Sequence, residues 1–143
     1  MDLNKAISER RLVKIEPSED LAVKELKESL NELKRAKKAS SDNDEKLVIT
    51  SSYYSMFHAA KALLFKLGWL EKSHIAILVI LEDLNKKGKL ETRFLNYYRS
   101  AMNAREAADY NYTYSSAAAE ECLSRAEEFS KEIRRLSGLN LNR

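Results

Sequence analysis

The chain has 143 residues, about one domain's worth, with only 3 Gly and 1 Pro. A sheet protein needs turn residues roughly every 8–12 positions, which this composition cannot supply, and its wealth of Leu, Ala and Glu favours helix. Its 25 Lys and Arg nearly balance 22 Asp and Glu, so no global field draws it to nucleic acid, and one Cys and two His exclude zinc frameworks and disulfide networks.

Residues 2–14 read as a short amphipathic helix stopped by Glu16-Pro17, because the residue before proline avoids the α region. Ser18 is the next N-cap, with Glu19 and Asp20 in the positively polarised first turn. Val23, Leu26, Leu30 and Leu33 then recur at helical spacing and predict one inward stripe, opposite a face carrying Lys24, Lys27, Lys34, Arg35, Lys37 and Lys38. After the turn Ser40–Asn43, a helix from Asp44 to Leu67 is apolar or small nearly all round, which marks it as central. Gly68 closes it as a left-handed C′ residue. Its small residues Ser51, Ser52, Ser55, Ala59 and Ala62 let neighbouring helices come close.

Ser73 caps a third long helix through Ile75 and Leu84, ended by Lys86-Lys87-Gly88. Its apolar run Ile75–Leu81 falls far short of the ~20 residues that a membrane helix needs. A fourth helix spans roughly 91–108, with Phe94, Leu95, Tyr98, Met102 and Arg105 near one side. Asp109–Tyr114 breaks the pattern, and Ser115 or Ser116 caps a last helix that carries Arg134 and Arg135 near its end. The expected fold is all-α: an up-and-down antiparallel bundle of four to five helices with short extra helices. It would occupy residues 18–137, after an arm at 1–17 and before a tail at 138–143. The first residues, Met1–Lys5, show no apolar signal segment, so the expected location is the cytoplasm.

Tyrosine carries the chemical information. All seven fall at Tyr53-Tyr54, Tyr97-Tyr98, and Tyr110, Tyr112 and Tyr114, the last group directly after Arg105 and Asp109. Arg105 and Asp109 share a helix face if the helix persists that far. Rigid aromatic faces, hydroxyls and a guanidinium together suit a nucleotide base and its phosphate. The candidate ligand-binding set is Arg105, Asp109, Tyr110, Tyr54 and His58. The bland alternative is a capping or ion-paired Asp109 with tyrosines wedging the loop, and a His58 that only hydrogen-bonds in the core.

His74 follows its helix cap, where the N-terminal dipole disfavours imidazolium and leaves a neutral ring able to accept a proton. It and Arg105 are the catalytic candidates. Cys122 lies among alanines and reads as a small core residue. The Lys34–Lys38 cluster reads as a solvated helix end. The chain contains no P-loop, dinucleotide glycine motif or His-Glu-x-x-His site, and neither metal nor cofactor is expected.

Four stretches in order resemble one family. They are Ser52-Tyr53-Tyr54-Ser55-Met56-Phe57-His58-Ala59-Ala60-Lys61, then Lys72-Ser73-His74, Lys87-Gly88-Lys89-Leu90, and Arg105-Glu106-Ala107-Ala108-Asp109-Tyr110 before an Ala/Glu-rich final helix. The order is similar to the HEPN domain (higher eukaryotes and prokaryotes nucleotide-binding), in its small stand-alone prokaryotic branch. The resemblance implies a helical bundle, commonly a homodimer, that partners a minimal nucleotidyltransferase in a toxin–antitoxin-like pair. It also implies a metal-independent ribonuclease where Arg is followed, after four to six residues, by His. Here Tyr110, Asn111 and Tyr112 stand in that window, and a phenol with pKa near 10 is a poor base. One branch of the family carries a tyrosine at the place of Tyr112 as an acceptor for nucleotidyl transfer, which makes Tyr112 a candidate acceptor. Three readings follow: a nucleotide- or RNA-binding partner of a nucleotidyltransferase, a ribonuclease with a rearranged Arg/His site, or a helical interaction module without ligand.

Overall fold

A computed structural model of the chain describes residues 1–139 and 141. The elements, in order, are α1 (Leu3–Ser8), β1 (Leu12–Lys14), α2 (Glu19–Ser41), α3 (Glu45–Leu67), β2 (Trp69–Glu71), α4 (His74–Lys86), α5 (Thr92–Tyr110) and α6 (Ser116–Ser137). The fold is the expected all-α bundle. Its helix starts are set by side-chain oxygens that take up otherwise unpaired first-turn amides. Ser18 Oγ accepts from Leu21 N at 3.2 Å, Asp44 Oδ1 from Leu47 N at 3.2 Å, and Ser115 Oγ from Ala118 N at 3.1 Å. Ser73 stands at the N-cap of α4 but makes no cap hydrogen bond, and its hydroxyl is buried without a partner among the described residues.

α3 is the central helix: it packs against α2, α4, α5, α6 and β2. The α2–α3 seam is close because its residues are small. Ser29 Oγ donates to Ser55 O at 2.7 Å, Ser55 Oγ returns a bond to Ser29 O at 2.9 Å, and Ser130 Oγ of α6 lies 3.4 Å from Ser29 Oγ. All three serines are fully buried, so their reciprocal bonds satisfy groups that would otherwise be costly to desolvate. Ser29 therefore occupies the inward stripe of α2 with Val23, Leu26 and Leu33, while Leu30, expected inside, is only half-buried.

Two local readings are corrected. The N-terminal helix stops at Ser8 instead of running to residue 14, and the chain turns through Arg10 in the left-handed region (φ +58°). It then pairs as β1 antiparallel to β2, with Leu12 opposite Glu71 and Lys14 opposite Trp69. Burial explains the preference: this path places Ala6 and Leu12 in the main core, both at most 1% exposed. At its other end α5 continues to Tyr110, beyond the expected stop at 108. Of the expected tail 138–143, residues 140, 142 and 143 lie outside the described residues. Among the described residues, no helix is long and apolar enough to cross a membrane.

Candidate functional site

The continuation of α5 through two further residues decides the local geometry. It keeps Asp109 on the same face as Arg105, and the Arg105 Nη1 to Asp109 Oδ2 distance is 3.6 Å. That face continues back to Tyr98, which is fully buried against α3. The Arg105 side chain is 14% exposed, and its guanidinium carbon lies 5.0 Å from the centroid of the Tyr53 ring. Its Nε is buried and has no hydrogen-bond partner among the described residues. A cation is thus held over an aromatic ring with one long ion pair and an unfilled donor.

Tyr53 is the hub of the site. Its ring packs against Tyr54 (5.1 Å between centroids, edge-on) and Tyr98 (6.0 Å), and its hydroxyl lies 3.3 Å from Nδ1 of His74 at the start of α4. Phe57 stacks obliquely on the His74 ring at 4.8 Å. Arg105 and His74 therefore both meet Tyr53, one on its face and the other at its hydroxyl. Burial pushes the Tyr53 phenol above its ordinary pKa, against the opposing pull of Tyr98 and Arg105. Burial also drives Tyr98 well above its ordinary value. Both phenols stay protonated at neutral pH and cannot act as bases there. Burial also works against the charge on Arg105, but the surrounding Tyr54, Tyr53, Tyr110 and Asp109 outweigh it and raise its pKa.

Of the expected ligand set, Arg105, Asp109 and Tyr54 come together, and Tyr110 projects from the last turn of α5 beside them, 71% exposed. His58 does not join them. Its Nδ1 lies 2.6 Å from Glu25 Oε2 of α2, and Lys61 bridges Glu25 (3.7 Å) to Glu71 (3.2 Å). His74 meets the site at the Tyr53 hydroxyl and, by way of the Phe57 ring, beside Tyr54. Tyr112 is 76% exposed, with its backbone in the left-handed region (φ +51°) and Lys46 Nζ 5.3 Å from its ring centroid. Among the described residues, no three His, Cys, Asp or Glu side chains gather in a way that could hold a metal ion.

Sequence reasoning named Tyr54 and passed over Tyr53. A signal was present: Tyr53 shares the helix face of Met56 and Ala60, and a tyrosine on a buried face needs a partner for its hydroxyl. What the sequence did not display was that the partner lies on α4.

The sequence model of the HEPN domain matches residues 22–136. The chain belongs to the HEPN domain family. The match takes in α3, α4, α5 and nearly all of α6, so every residue of the Tyr53–Arg105–His74 cluster lies within the HEPN domain. This HEPN chain is also similar to a protein of Methanocaldococcus jannaschii named "Putative toxin MJ0142", with 33% identity over 66 residues. Those residues are 46% of this chain and 45% of that relative, so the chain spans less than half of the relative's length.

Proposed function

We propose that this HEPN protein is the nucleotide- or RNA-end-binding member of a toxin–antitoxin-like pair, acting as a homodimer beside a minimal nucleotidyltransferase. The observation that carries this reading is the state of Arg105: set over the Tyr53 ring, loosely paired with Asp109, and still part-exposed. A phosphate oxygen meets the exposed edge of this guanidinium beside Asp109, and guanidinium–phosphate bonds are among the stronger charge-assisted kind. Tyr54 and Tyr110 offer ring faces on which a base can stack. The toxin named among its relatives agrees with this reading.

Tyr112 is the acceptor in this scheme. Its exposed phenol attacks the α-phosphorus of a nucleoside triphosphate held by the nucleotidyltransferase. Pyrophosphate leaves, and the phenolic proton passes to solvent. The left-handed backbone at Tyr112 supports the assignment, because strain at a non-glycine residue clusters at functional sites. Titration with ATP, ADP and short RNA tests the binding half: wild-type protein binds and Arg105→Ala does not. Co-purification with an adjacently encoded nucleotidyltransferase, followed by mass spectrometry of Tyr112, tests the other half. Absence of both binding and partner would remove the proposal.

The 3.3 Å contact between Tyr53 and His74 favours one second reading, a metal-independent ribonuclease in which His74 moves the proton and Arg105 neutralises the phosphorane. RNA cleavage in EDTA that vanishes in both His74→Ala and Arg105→Ala would establish it.

A further inference from the structure

We propose that a second, separate binding site lies in the seam between α5 and α6, where a half-open cleft of about 120 Å³ accepts the ring of a small monocyclic aromatic molecule. The floor is Met56, Ala101 and Cys122, at 1%, 2% and 9% exposure, and Ala104, Ala118 and Tyr97 complete the walls. Arg105 does not line it, so this inference stands apart from the nucleotide reading.

The cleft contrasts with the α2–α3 seam. At the α2–α3 seam small residues let helices touch, as the Ser29–Ser55 bonds show. Between α5 and α6, Ala101 and Ala104 face Ala118 and Cys122 and leave space instead. An apolar cavity of about 150 Å³ holds a benzene molecule, which sets the scale of the occupant.

The chemistry of the lining narrows the class. Apart from the Cys122 thiol and the Tyr97 hydroxyl, the floor and walls named above bring only methyl, thioether and ring surface, so a nucleobase would bury most of its polar edge unpaired. The polar groups gather at the mouth: Ser100, and Arg125 paired with Glu121 at 2.6 Å and lying 5.0 Å from the Tyr97 ring centroid. A ring with one polar substituent directed outward meets donor and acceptor there while its hydrocarbon edge fills the floor. Phenol is the simplest such probe.

The chain's single cysteine reports occupancy directly. In wild-type protein, phenol should slow alkylation of Cys122 by iodoacetamide by the factor 1 + [L]/Kd, about elevenfold at ten times Kd, while adenine leaves the rate unchanged. In Ala104→Leu, shown folded by circular dichroism, the leucine fills the cleft and the slow alkylation no longer responds to phenol. Alkylation of the wild-type protein that ignores phenol up to its solubility, or that slows equally with adenine, overturns the proposal. The wild-type measurement decides alone if the leucine variant does not fold.

Discussion

At the scale of single residues, the site turns on one ring doing two jobs. Tyr53 carries Arg105 on its face and holds His74 at its hydroxyl. The two roles separate by substitution. Tyr53→Phe keeps the ring and loses one hydrogen bond, so stability falls by about 1 kcal/mol and Arg105-dependent binding persists. Tyr53→Ala removes the platform and leaves a cavity, costing about 3–5 kcal/mol. Urea unfolding measures both. Asp109 sits where an incoming phosphate would, 3.6 Å from the guanidinium. Asp109→Asn should tighten phosphate binding several-fold, in line with a partly exposed ion pair worth about 0.2–1 kcal/mol, as read by calorimetric titration; weaker binding would assign Asp109 to ligand contact instead.

Part of the candidate cluster's geometry was legible at this scale. Arg105 and Asp109 stood out because a four-residue spacing is a helical neighbour relation, and the local sequence alone displays it. His58 lies apart from the candidate cluster, and the sequence could not show it: its partner, Glu25, lies on another helix, and no spacing along the chain announces a tertiary hydrogen bond.

At the scale of elements, the turns and seams hold the most specific information. Gly68 has φ +88°, and a Cβ built there would lie 2.8 Å from the carbonyl oxygen of Ile15. Gly68→Ala therefore suffers both a disfavoured backbone and a clash with an immobile atom. Gly88, at φ +73° with nothing within 4 Å of such a Cβ, suffers only the first. Gly88→Ala should cost about 1 kcal/mol and Gly68→Ala clearly more, up to about 3 kcal/mol, measured by denaturant midpoint. At the serine seam, Ser29→Ala should cost about 1 kcal/mol, whereas Ser29→Leu forces α2 from α3 and α6 and costs about 1–3 kcal/mol or more. The helices were readable because capping oxygens and left-handed glycines are local signals. The strands were not: β1 and β2 have three residues each, too few to show a period of two. At β1 the helical reading of residues 2–14 ran across the strand.

At the scale of the molecule, one ion cluster ties α2, α3 and β2 together and sets an acid limit. Burial pushes the Glu25 carboxyl up, but its hydrogen bond to His58 and the charge on Lys61 outweigh that, and its pKa ends below the ordinary value. A carboxylate depressed in the folded state stabilises above its unfolded pKa of about 4.3 and loses that contribution as pH falls through the folded value. Wild-type stability should therefore decline on acidification through that window. Glu25→Gln should start less stable at pH 7 and show a shallower decline, as followed by urea midpoints from neutral pH downward. An unchanged acid limb in the variant would mean that other carboxylates set it.

The pairing of β1 with β2 also bears on the order of events during synthesis. Leu12 emerges from the ribosome well before Glu71, its partner across the ladder, and the amide of Lys72 must be present before it can bond the carbonyl of Arg11. The first segment to be translated is thus among the later ones to find its seat, because closing so long a loop must follow the assembly of the helices that frame it. Until then Leu12 has no shelter, and its apolar side chain stays open to contacts outside the native fold.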